Sequence, residues 1–279
     1  MYRKIIKQIT PAFLLDALKY FFTPKPTAIW AGNYSSWEEV QKYCTGYDGE
    51  LILERCKNSL LKIKDGEAVY ERDTVLFDEI QYSTALLAGL QKAALENSGN
   101  LCVLDFGGSL GSSYYQNRSF LGSLNNLEWC IVEQPHFVDC GKKTFENEEL
   151  KFYYTIEECL KEKKPNVILL SSVLQYLDNP EQIIDNVLDT GAPYIVLDRL
   201  ALSNESRNIL TIQSVDKSFY EAKLGHWFFS YDKILSKFSD SYDLLLSARS
   251  FADAPIVLDK QTPCYFNILI FRKNEMSTL

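Results

Sequence analysis

The pattern of apolar and polar positions changes near residue 100. Before it, residues 50–64 and 71–96 carry apolar side chains at helical spacing. The apolar face predicted for the second segment consists of Leu76, Ile80, Leu86, Leu87 and Leu90. Another helix is predicted to begin at Ser35 or Ser36, because a capping hydroxyl there precedes two glutamates. We therefore expect residues 1–96 to form a helical cap.

After residue 100, short apolar runs alternate with intervals long enough for crossover helices. The predicted strands are residues 101–105, 127–133, 150–154, 166–171, 193–198, 243–249 and 264–272. The clearest helix is 179–189, with Pro180 in its first turn and Gly191 beyond its end. The last two apolar runs are close enough in sequence to pair antiparallel. The expected fold is α/β, with a doubly wound, mostly parallel seven-stranded sheet in residues 97–279.

A glycine-rich turn follows the first predicted strand. Asp105 ends the strand, and Gly107, Gly108 and Gly111 precede polar residues that can open a helix. Such a turn directs backbone N–H groups and a positive helix end toward a ligand. Glycine is needed where φ is positive or where a Cβ would hold a bound molecule away. The turn is therefore the first candidate for a cofactor site.

Two glycine patterns compete for this turn. The dinucleotide pattern GxGxxG requires glycine where Ser109 and Ser112 stand, and it fails at both positions. The pattern D-x-G-x-G-x-G fits at Asp105, Gly107 and Gly111, with Ser109 in place of the middle glycine. The neighbouring Gly108 is expected to restore the flexibility lost at Ser109.

Other candidate binding residues follow the later strands. Glu133, with Gln134 after it, ends the second strand, where a carboxylate can accept hydrogen bonds from both ribose hydroxyls of an adenosine. The alternative for Glu133 is a helix-capping or surface acid. Tyr154 ends the third strand, where it could flank an adenine. The last candidates are Ser171 and Ser172 at the end of the fourth strand, and Gln175 shortly after it.

In this order and spacing, these segments resemble the class I methyltransferases that use S-adenosylmethionine (SAM). More specifically, DFGGSLGSSY, VEQ, SSVLQYL, LDR and HWFFS, with W-x-G-x-Y and YERD nearer the amino terminus, resemble a methyltransferase family of bacterial surface-polysaccharide (O-antigen and capsule) gene clusters. The resemblance covers nearly the whole chain. It implies a seven-stranded fold with its last strand antiparallel, SAM as methyl donor, and a sugar hydroxyl or related group of a glycan precursor as acceptor.

Methylation of a hydroxyl requires in-line positioning and a base. His226 lies in KLGHWFFS, read as loop-like, and is the first candidate for this base; a buried structural histidine is the alternative. Asp198 and Arg199 close the fifth strand. Asp198 could be another base or a metal ligand, and Arg199 could hold an anionic group of the acceptor. An internal ion pair is the alternative for both, and no metal site is predicted.

Composition limits the partners and the compartment. The net charge is −8, from 29 Lys and Arg against 37 Asp and Glu, which argues against nucleic acid as a partner. The seven cysteines are scattered without a CxxC pair, which favours a reduced, cytoplasmic compartment. Residues 1–22 are basic and amphipathic, and fit either an anionic membrane surface or a helix docked on the domain or on a second subunit. The oligomeric state is left open.

Two other functions compete with a methyltransferase. Ser109 and the lack of a familiar catalytic set are compatible with a non-catalytic protein of the same fold in a glycan-assembly complex. A nicotinamide-dependent oxidoreductase is disfavoured by the two missing glycines.

Overall fold

A computed structural model describes residues 29–45, 49–72, 74–215, 222–250, 256–259 and 261–274. The predicted amphipathic segment 1–22 lies outside these residues. The described helices are α1 (Trp37–Gln41), α2 (Gly49–Lys64), α3 (Thr84–Glu96), α4 (Ser112–Leu121), α5 (Pro135–Thr144), α6 (Ile156–Glu162), α7 (Pro180–Asp189) and α8 (Tyr231–Phe238). A single 3₁₀ turn covers Leu174–Tyr176. None of the helices in the described part is long and apolar enough to cross a membrane.

The described strands form one large sheet and one hairpin. They are β1 (Trp30–Tyr34), β2 (Tyr70–Arg72), β3 (Val75–Phe77), β4 (Asn100–Phe106), β5 (Asn126–Val132), β6 (Leu150–Tyr153), β7 (Val167–Ser171), β8 (Tyr194–Ser203), β9 (Ile209–Val215), β10 (Ala222–Ser230), β11 (Tyr242–Arg249), β12 (Ile256–Leu258) and β13 (Thr262–Lys273).

Seven of these strands form the predicted α/β sheet. They lie in the order β6-β5-β4-β7-β8-β13-β11. Strands β4 to β8 are mutually parallel, β13 is antiparallel to β8, and β11 is antiparallel to β13. The predicted doubly wound, mostly parallel sheet is confirmed, and so is the antiparallel pairing of the last two apolar runs.

The parallel strands of the sheet are buried on both faces because helices cover each of them. Leu101 and Trp129 point to the face that α2, α3, α4 and α5 cover, and Leu104 and Ile195 to the face of α6, α7 and α8. All four side chains are inaccessible to solvent. Burial on both faces explains why the parallel strands read as continuous apolar runs in the sequence.

A second, antiparallel part of the sheet lies beyond the carboxyl end of β8. Strands β1, β9 and β10 pair antiparallel, and the end of β10 runs parallel to the end of β8. The interpretation of KLGHWFFS as loop-like was wrong, because these residues lie in β10. Aromatic and apolar side chains are buried on both faces of β10, so its sequence lacks the alternation of a half-buried strand.

The predicted helix over 71–96 was correct only from Thr84 onward. Residues before it form the hairpin of β2 and β3, with Thr74 in a left-handed conformation (φ 71°) at the turn. Contacts with α4 hold the hairpin, among them a 3.1 Å hydrogen bond from Nε2 of Gln116 to the hydroxyl of Tyr70. Tertiary contacts here override a helical pattern. The helices predicted at 50–64 and 179–189 are confirmed, as is the cap at Ser36, whose Oγ accepts the Glu39 N–H at 3.3 Å.

Candidate functional site

The glycine turn lies where the strand order of the sheet reverses. It leaves β4, whose neighbours β5 and β7 continue the sheet in opposite directions. Such a switch point forms a crevice at the carboxyl ends of parallel strands. The loop after β7 borders the turn closely, since a Cβ added at Gly107 would lie 2.4 Å from Cγ2 of Val173.

Three residues of the turn adopt left-handed conformations. These are Gly107 (φ 71°), Ser109 (φ 54°) and Gly111 (φ 110°). Ser109 therefore takes the conformation for which the motif normally supplies glycine, at the modest strain of a non-glycine residue in this region. Gly108 was expected to restore flexibility, and this stays a prediction. Its φ is not positive, and it is small for another reason, because a Cβ there would lie 2.6 Å from Cγ of Asp105.

Asp105 is completely buried beneath the turn. The indole Nε1 of Trp129 donates to its Oδ2 at 2.9 Å, while Oδ1 has no hydrogen-bond partner among the described residues. Burial raises the pKa of Asp105 to about 7, an effect that the hydrogen bond from Trp129 opposes. An ionised Asp105 therefore leaves one carboxylate oxygen uncompensated next to the turn.

Glu133 links the turn to the next strand. It follows β5, and its carboxylate accepts the backbone N–H of Ser109 at 3.3 Å and that of Gln134 at 2.7 Å. Burial raises the pKa of Glu133, and these two hydrogen bonds oppose that effect. Gln134 lies exposed immediately before α5. The carboxylate is thus at the edge of the crevice and fixed in orientation.

Tyr154 follows β6 and lies at the same carboxyl edge of the sheet as Glu133, because β5 and β6 are parallel. Its hydroxyl donates to Oδ1 of Asp139 in α5 at 2.6 Å, and the ammonium of Lys142 lies 4.5 Å from the centre of its ring. Tyr153 points elsewhere, with its hydroxyl on Glu162 at 3.2 Å. Of the two tyrosines, Tyr154 is the more exposed, at 41%.

The residues predicted at the ends of the fourth and fifth strands come together in one network. The prediction that Asp198 and Arg199 close their strand was wrong, because β8 continues to Ser203. Oγ of Ser171 donates to Oδ2 of Asp198 at 2.8 Å, and the N–H of Ser172 donates to the Asp198 carbonyl at 2.9 Å. Nε2 of Gln175 bridges Oγ of Ser172 at 3.1 Å and the carbonyl of Arg199 at 3.2 Å. Ser172 and Arg199 are both left-handed, with φ of 57° and 50°. The buried amide of Gln175 therefore holds two strained residues, Ser172 just after β7 and Arg199 within the adjacent strand β8.

Asp198 and Arg199 form the ion pair that the sequence left as an alternative. Nε of Arg199 lies 3.9 Å from Oδ2 of Asp198, which is only 3% exposed. Burial raises the pKa of Asp198, and Arg199 opposes that effect. Oδ1 of Asp198 has no hydrogen-bond partner among the described residues. The charges of Glu133, Arg199 and Asp198 also act on Asp105, so all four side chains contribute to the electrostatics of the crevice.

His226 is fully buried in an aromatic cluster on β10. Its ring centre lies 4.8 Å from that of Phe228, 5.1 Å from that of Tyr176 and 5.5 Å from that of Trp30. Neither ring nitrogen has a hydrogen-bond partner within the described part of the chain. Burial lowers the pKa of His226 to about 3, so the imidazole is neutral at physiological pH. Tyr176 directly follows Gln175, and this connects the cluster to the crevice.

Strand β10 forms a wall beside the loop after β7. The indole of Trp227 donates to the carbonyl of Leu177 at 3.0 Å, and its ring stacks on that of Trp37 with centres 6.2 Å apart. Both indoles pack against the small apolar cluster that contains the buried side chain of Val40. The sequence singled out HWFFS for His226 alone and did not predict this wall.

Glu71 is the site residue that the sequence reading missed. It is 4% exposed, and its carboxylate accepts a hydrogen bond from the hydroxyl of Ser112, the first residue of α4. The signal was present in YERD, which the sequence analysis used only for its resemblance to the methyltransferase family. Within the described residues, no three His, Cys, Asp or Glu side chains are placed to hold a metal ion.

No protein-family model and no curated protein sequence matches the chain. Solved structures of similar shape include a SAM-dependent methyltransferase from Clostridium acetobutylicum (11% identity, 70% of this chain and 93% of that one, TM-score 0.43). Another is the N-terminal domain of EvdMO1, crystallised in the presence of S-adenosylhomocysteine (SAH) and D-fucose (10% identity, 82% of this chain and 98% of that one, TM-score 0.46). A third is the CcbJ methyltransferase from Streptomyces caelestis (14% identity, 70% of this chain and 91% of that one, TM-score 0.41). At identities and TM-scores this low, the fold class rests on the strand order described above.

Proposed function

We propose that the protein is a SAM-dependent methyltransferase that binds its cofactor in the crevice between the glycine turn and Glu133. The observation that carries this proposal is the glycine turn at the switch point, with Glu133 hydrogen-bonded to its Ser109 N–H. A carboxylate at the end of the second parallel strand suits the two hydroxyls of a ribose. Bound SAM supplies an electrophilic methyl group on a sulfonium.

The residues of the crevice fit the charges of this cofactor. SAM carries a sulfonium, an ammonium and a carboxylate. For its two cationic groups, Asp105 and Asp198 each offer a buried carboxylate oxygen without a partner among the described residues. Buried carboxylates need a compensating charge, which a cationic ligand provides. Gly107 and Gly111 allow protein side chains to approach the turn closely, because a Cβ at these positions would lie 2.4 Å from Val173 and 3.2 Å from Leu150. Gln134, Tyr154, Ser171, Ser172 and Gln175 remain the other residues expected to contact the cofactor.

The proposed acceptor is a sugar hydroxyl or a related group of a bacterial surface-glycan precursor, handled in the cytoplasm. Support comes from the sequence resemblance and from the wall of β10, which sets aromatic side chains beside the loop after β7. In this arrangement Arg199 faces an anionic group of the acceptor, and its pair with Asp198 fixes its orientation. Contact of residues 1–22 with the inner face of the membrane is a separate part of this proposal.

His226 is the proposed base, with Asp198 as the alternative. A pKa of about 3 keeps the imidazole neutral but makes it a weak base in the ligand-free protein, so this role requires that the bound acceptor reach the ring and raise its pKa toward neutrality. The two unpartnered nitrogens favour this role, because a buried imidazole without hydrogen bonds is costly until a ligand provides one. Asp198 is the alternative because Ser171 and Arg199 engage only its Oδ2, while its Oδ1 has no hydrogen-bond partner among the described residues.

The base assignment predicts different effects for two variants. His226→Asn is expected to lower methyl transfer by about 100-fold or more, while SAH affinity changes less than about twofold. Transfer of tritiated methyl from SAM to a panel of nucleotide sugars and lipid-linked glycans measures the first quantity, and calorimetry with SAH measures the second. Ser206→Ala, in the exposed turn between β8 and β9, is the matched control. Wild-type transfer by folded His226→Asn would remove His226 from the mechanism and leave Asp198.

A non-catalytic role is the second candidate function. It is favoured by Ser109, which departs from the glycine motif, and by the complete burial of His226. Retained SAH binding without methyl transfer to any glycan of the panel would support it. Binding of NAD⁺ in place of SAH would instead support the oxidoreductase.

A further inference from the structure

The loop that follows β7, residues 172–179, forms one border of the glycine turn. A Cβ added at Gly107 would lie 2.4 Å from Cγ2 of Val173 and 2.9 Å from its Cβ, so the loop leaves no room for a side chain at this point. The first anchor of the loop is Gln175, whose buried amide donates to Oγ of Ser172 at 3.1 Å. The position of the loop therefore decides how closely the glycine turn is enclosed.

A second anchor comes from β10, which lies outside the parallel part of the sheet. The 3₁₀ turn of the loop ends at Leu177, whose backbone is extended (φ −91°, ψ 146°). The indole Nε1 of Trp227 donates to the Leu177 carbonyl at 3.0 Å. The preceding residue of each segment is also in contact, since the ring centres of His226 and Tyr176 lie 5.1 Å apart. Two successive residues of β10 therefore hold two successive residues of the loop.

The indole of Trp227 is itself held by α1. Its ring stacks on that of Trp37, with centres 6.2 Å and planes 15° apart. Helix α1 can approach β10 closely because residue 225 is glycine, where a Cβ would lie 2.7 Å from Trp37 and 2.9 Å from Val40. A stacked indole has few rotamers to lose, so little entropy opposes its hydrogen bond to the loop. The bond from Trp227 is therefore a firm constraint on the loop.

We propose that Trp227 is a positioning residue for the cofactor, because its hydrogen bond to Leu177 keeps the loop after β7 closed against the glycine turn. The inference rests on the proposed function, in which this loop and the turn bind SAM together. It gives β10 a role on the cofactor side of the crevice as well as on the acceptor side. Without the bond, the Leu177 carbonyl needs another donor and the loop is free to move away from Gly107.

SAH binding by two matched variants tests the effect on the cofactor. Trp227→Phe keeps an aromatic ring against Trp37 but removes the N–H donor, and is expected to weaken SAH about fivefold, the size of one neutral hydrogen bond. Trp37→Phe is the same substitution in the other indole of the pair. It keeps the bond to Leu177 and is expected to change SAH affinity by less than about twofold. Calorimetry measures both, and unchanged affinity in Trp227→Phe would overturn the inference.

A double-mutant cycle separates an action through the loop from a general structural role. Gly107→Ala pushes on Val173, and this is easier to accommodate where Trp227→Phe has released the loop. The fall in urea midpoint caused by Gly107→Ala is therefore expected to be about half as large in the Trp227→Phe background as in the wild type. In the Trp37→Phe background it is expected to be unchanged. Equal falls in all three backgrounds would overturn the inference.

The cycle needs no ligand, so it keeps the inference and the proposed function apart. Lack of SAH binding by the wild type would overturn the proposed function, while coupling in the cycle would still show that Trp227 holds the loop. If the double variant does not fold, amide exchange of Tyr176 and Leu177, whose N–H groups close the 3₁₀ turn, replaces the cycle. Exchange about tenfold faster in Trp227→Phe than in the wild type and Trp37→Phe is expected, and equal exchange would overturn the inference.

Discussion

At the scale of single residues, the buried charge of Asp105 lowers the free energy of unfolding, and the same charge is expected to strengthen cofactor binding. Its pKa of about 7 lies above the usual value for aspartate because the folded protein buries it. The folded state therefore binds more protons than the unfolded state between about pH 4 and pH 7, and raising the pH through this window lowers the free energy of unfolding. Above pH 7 Asp105 is ionised, and its buried charge lowers the free energy of unfolding.

We therefore expect Asp105→Asn to stabilise the ligand-free protein by roughly 1–3 kcal/mol at pH 8 and by less at pH 5, where Asp105 is already protonated. The same change is expected to weaken SAH binding, because the ammonium loses a carboxylate. Urea denaturation at both pH values and calorimetry with SAH measure the two effects. A variant less stable than the wild type at pH 8 would contradict the destabilising effect assigned to the buried charge of Asp105.

At the scale of elements, the glycine turn depends on close approach as well as on φ. Gly107 and Gly66 have similar left-handed conformations, with φ of 71° and 77°. A Cβ at Gly107 would lie 2.4 Å from Val173, whereas a Cβ at Gly66 would meet no atom within 4 Å. The two glycines therefore separate backbone strain from steric overlap.

Gly66→Ala is expected to lower the free energy of unfolding by about 1 kcal/mol through backbone strain alone. Gly107→Ala is expected to lower it by about 1–3 kcal/mol more, because Val173 must move, and to weaken SAH binding at least tenfold. Urea denaturation and SAH calorimetry of both variants test this. Equal loss of stability in the two variants would mean that the loop after β7 does not close against the turn.

Sequence patterns predicted some elements well and failed at others for identifiable reasons. The parallel strands were predicted because both faces are buried and their apolar runs are continuous, as in β4 and β7. Strand β10 is also buried on both faces, but Gly225 and the polar His226 interrupt its apolar run. The hairpin at Tyr70–Phe77 depends on bonds to α4, which local spacing cannot reveal.

At the scale of the whole molecule, the parallel topology assembles the crevice. Asp105, Glu133, Ser171 and Asp198 lie far apart in sequence, and the sequence placed them at one edge of the parallel sheet. Asp105 and Ser171 lie at the ends of β4 and β7, Glu133 follows β5, and Asp198 lies within β8 where its parallel pairing with β7 stops. Which helices cover that edge could not be predicted. The position of Glu71 beside α4 and the seclusion of His226 follow from the hairpin and from the β1–β9–β10 extension.

The central claim is that Glu133 holds the ribose of an adenosine-containing cofactor in this crevice. Calorimetry with SAH on the wild type, Glu133→Ala and Glu148→Ala tests it most directly, since Glu148 is an exposed glutamate in the turn before β6. The account predicts SAH binding by the wild type and Glu148→Ala, and at least tenfold weaker binding by Glu133→Ala, because two charged hydrogen bonds are lost. No binding by the wild type, or equal binding by all three proteins, would contradict it.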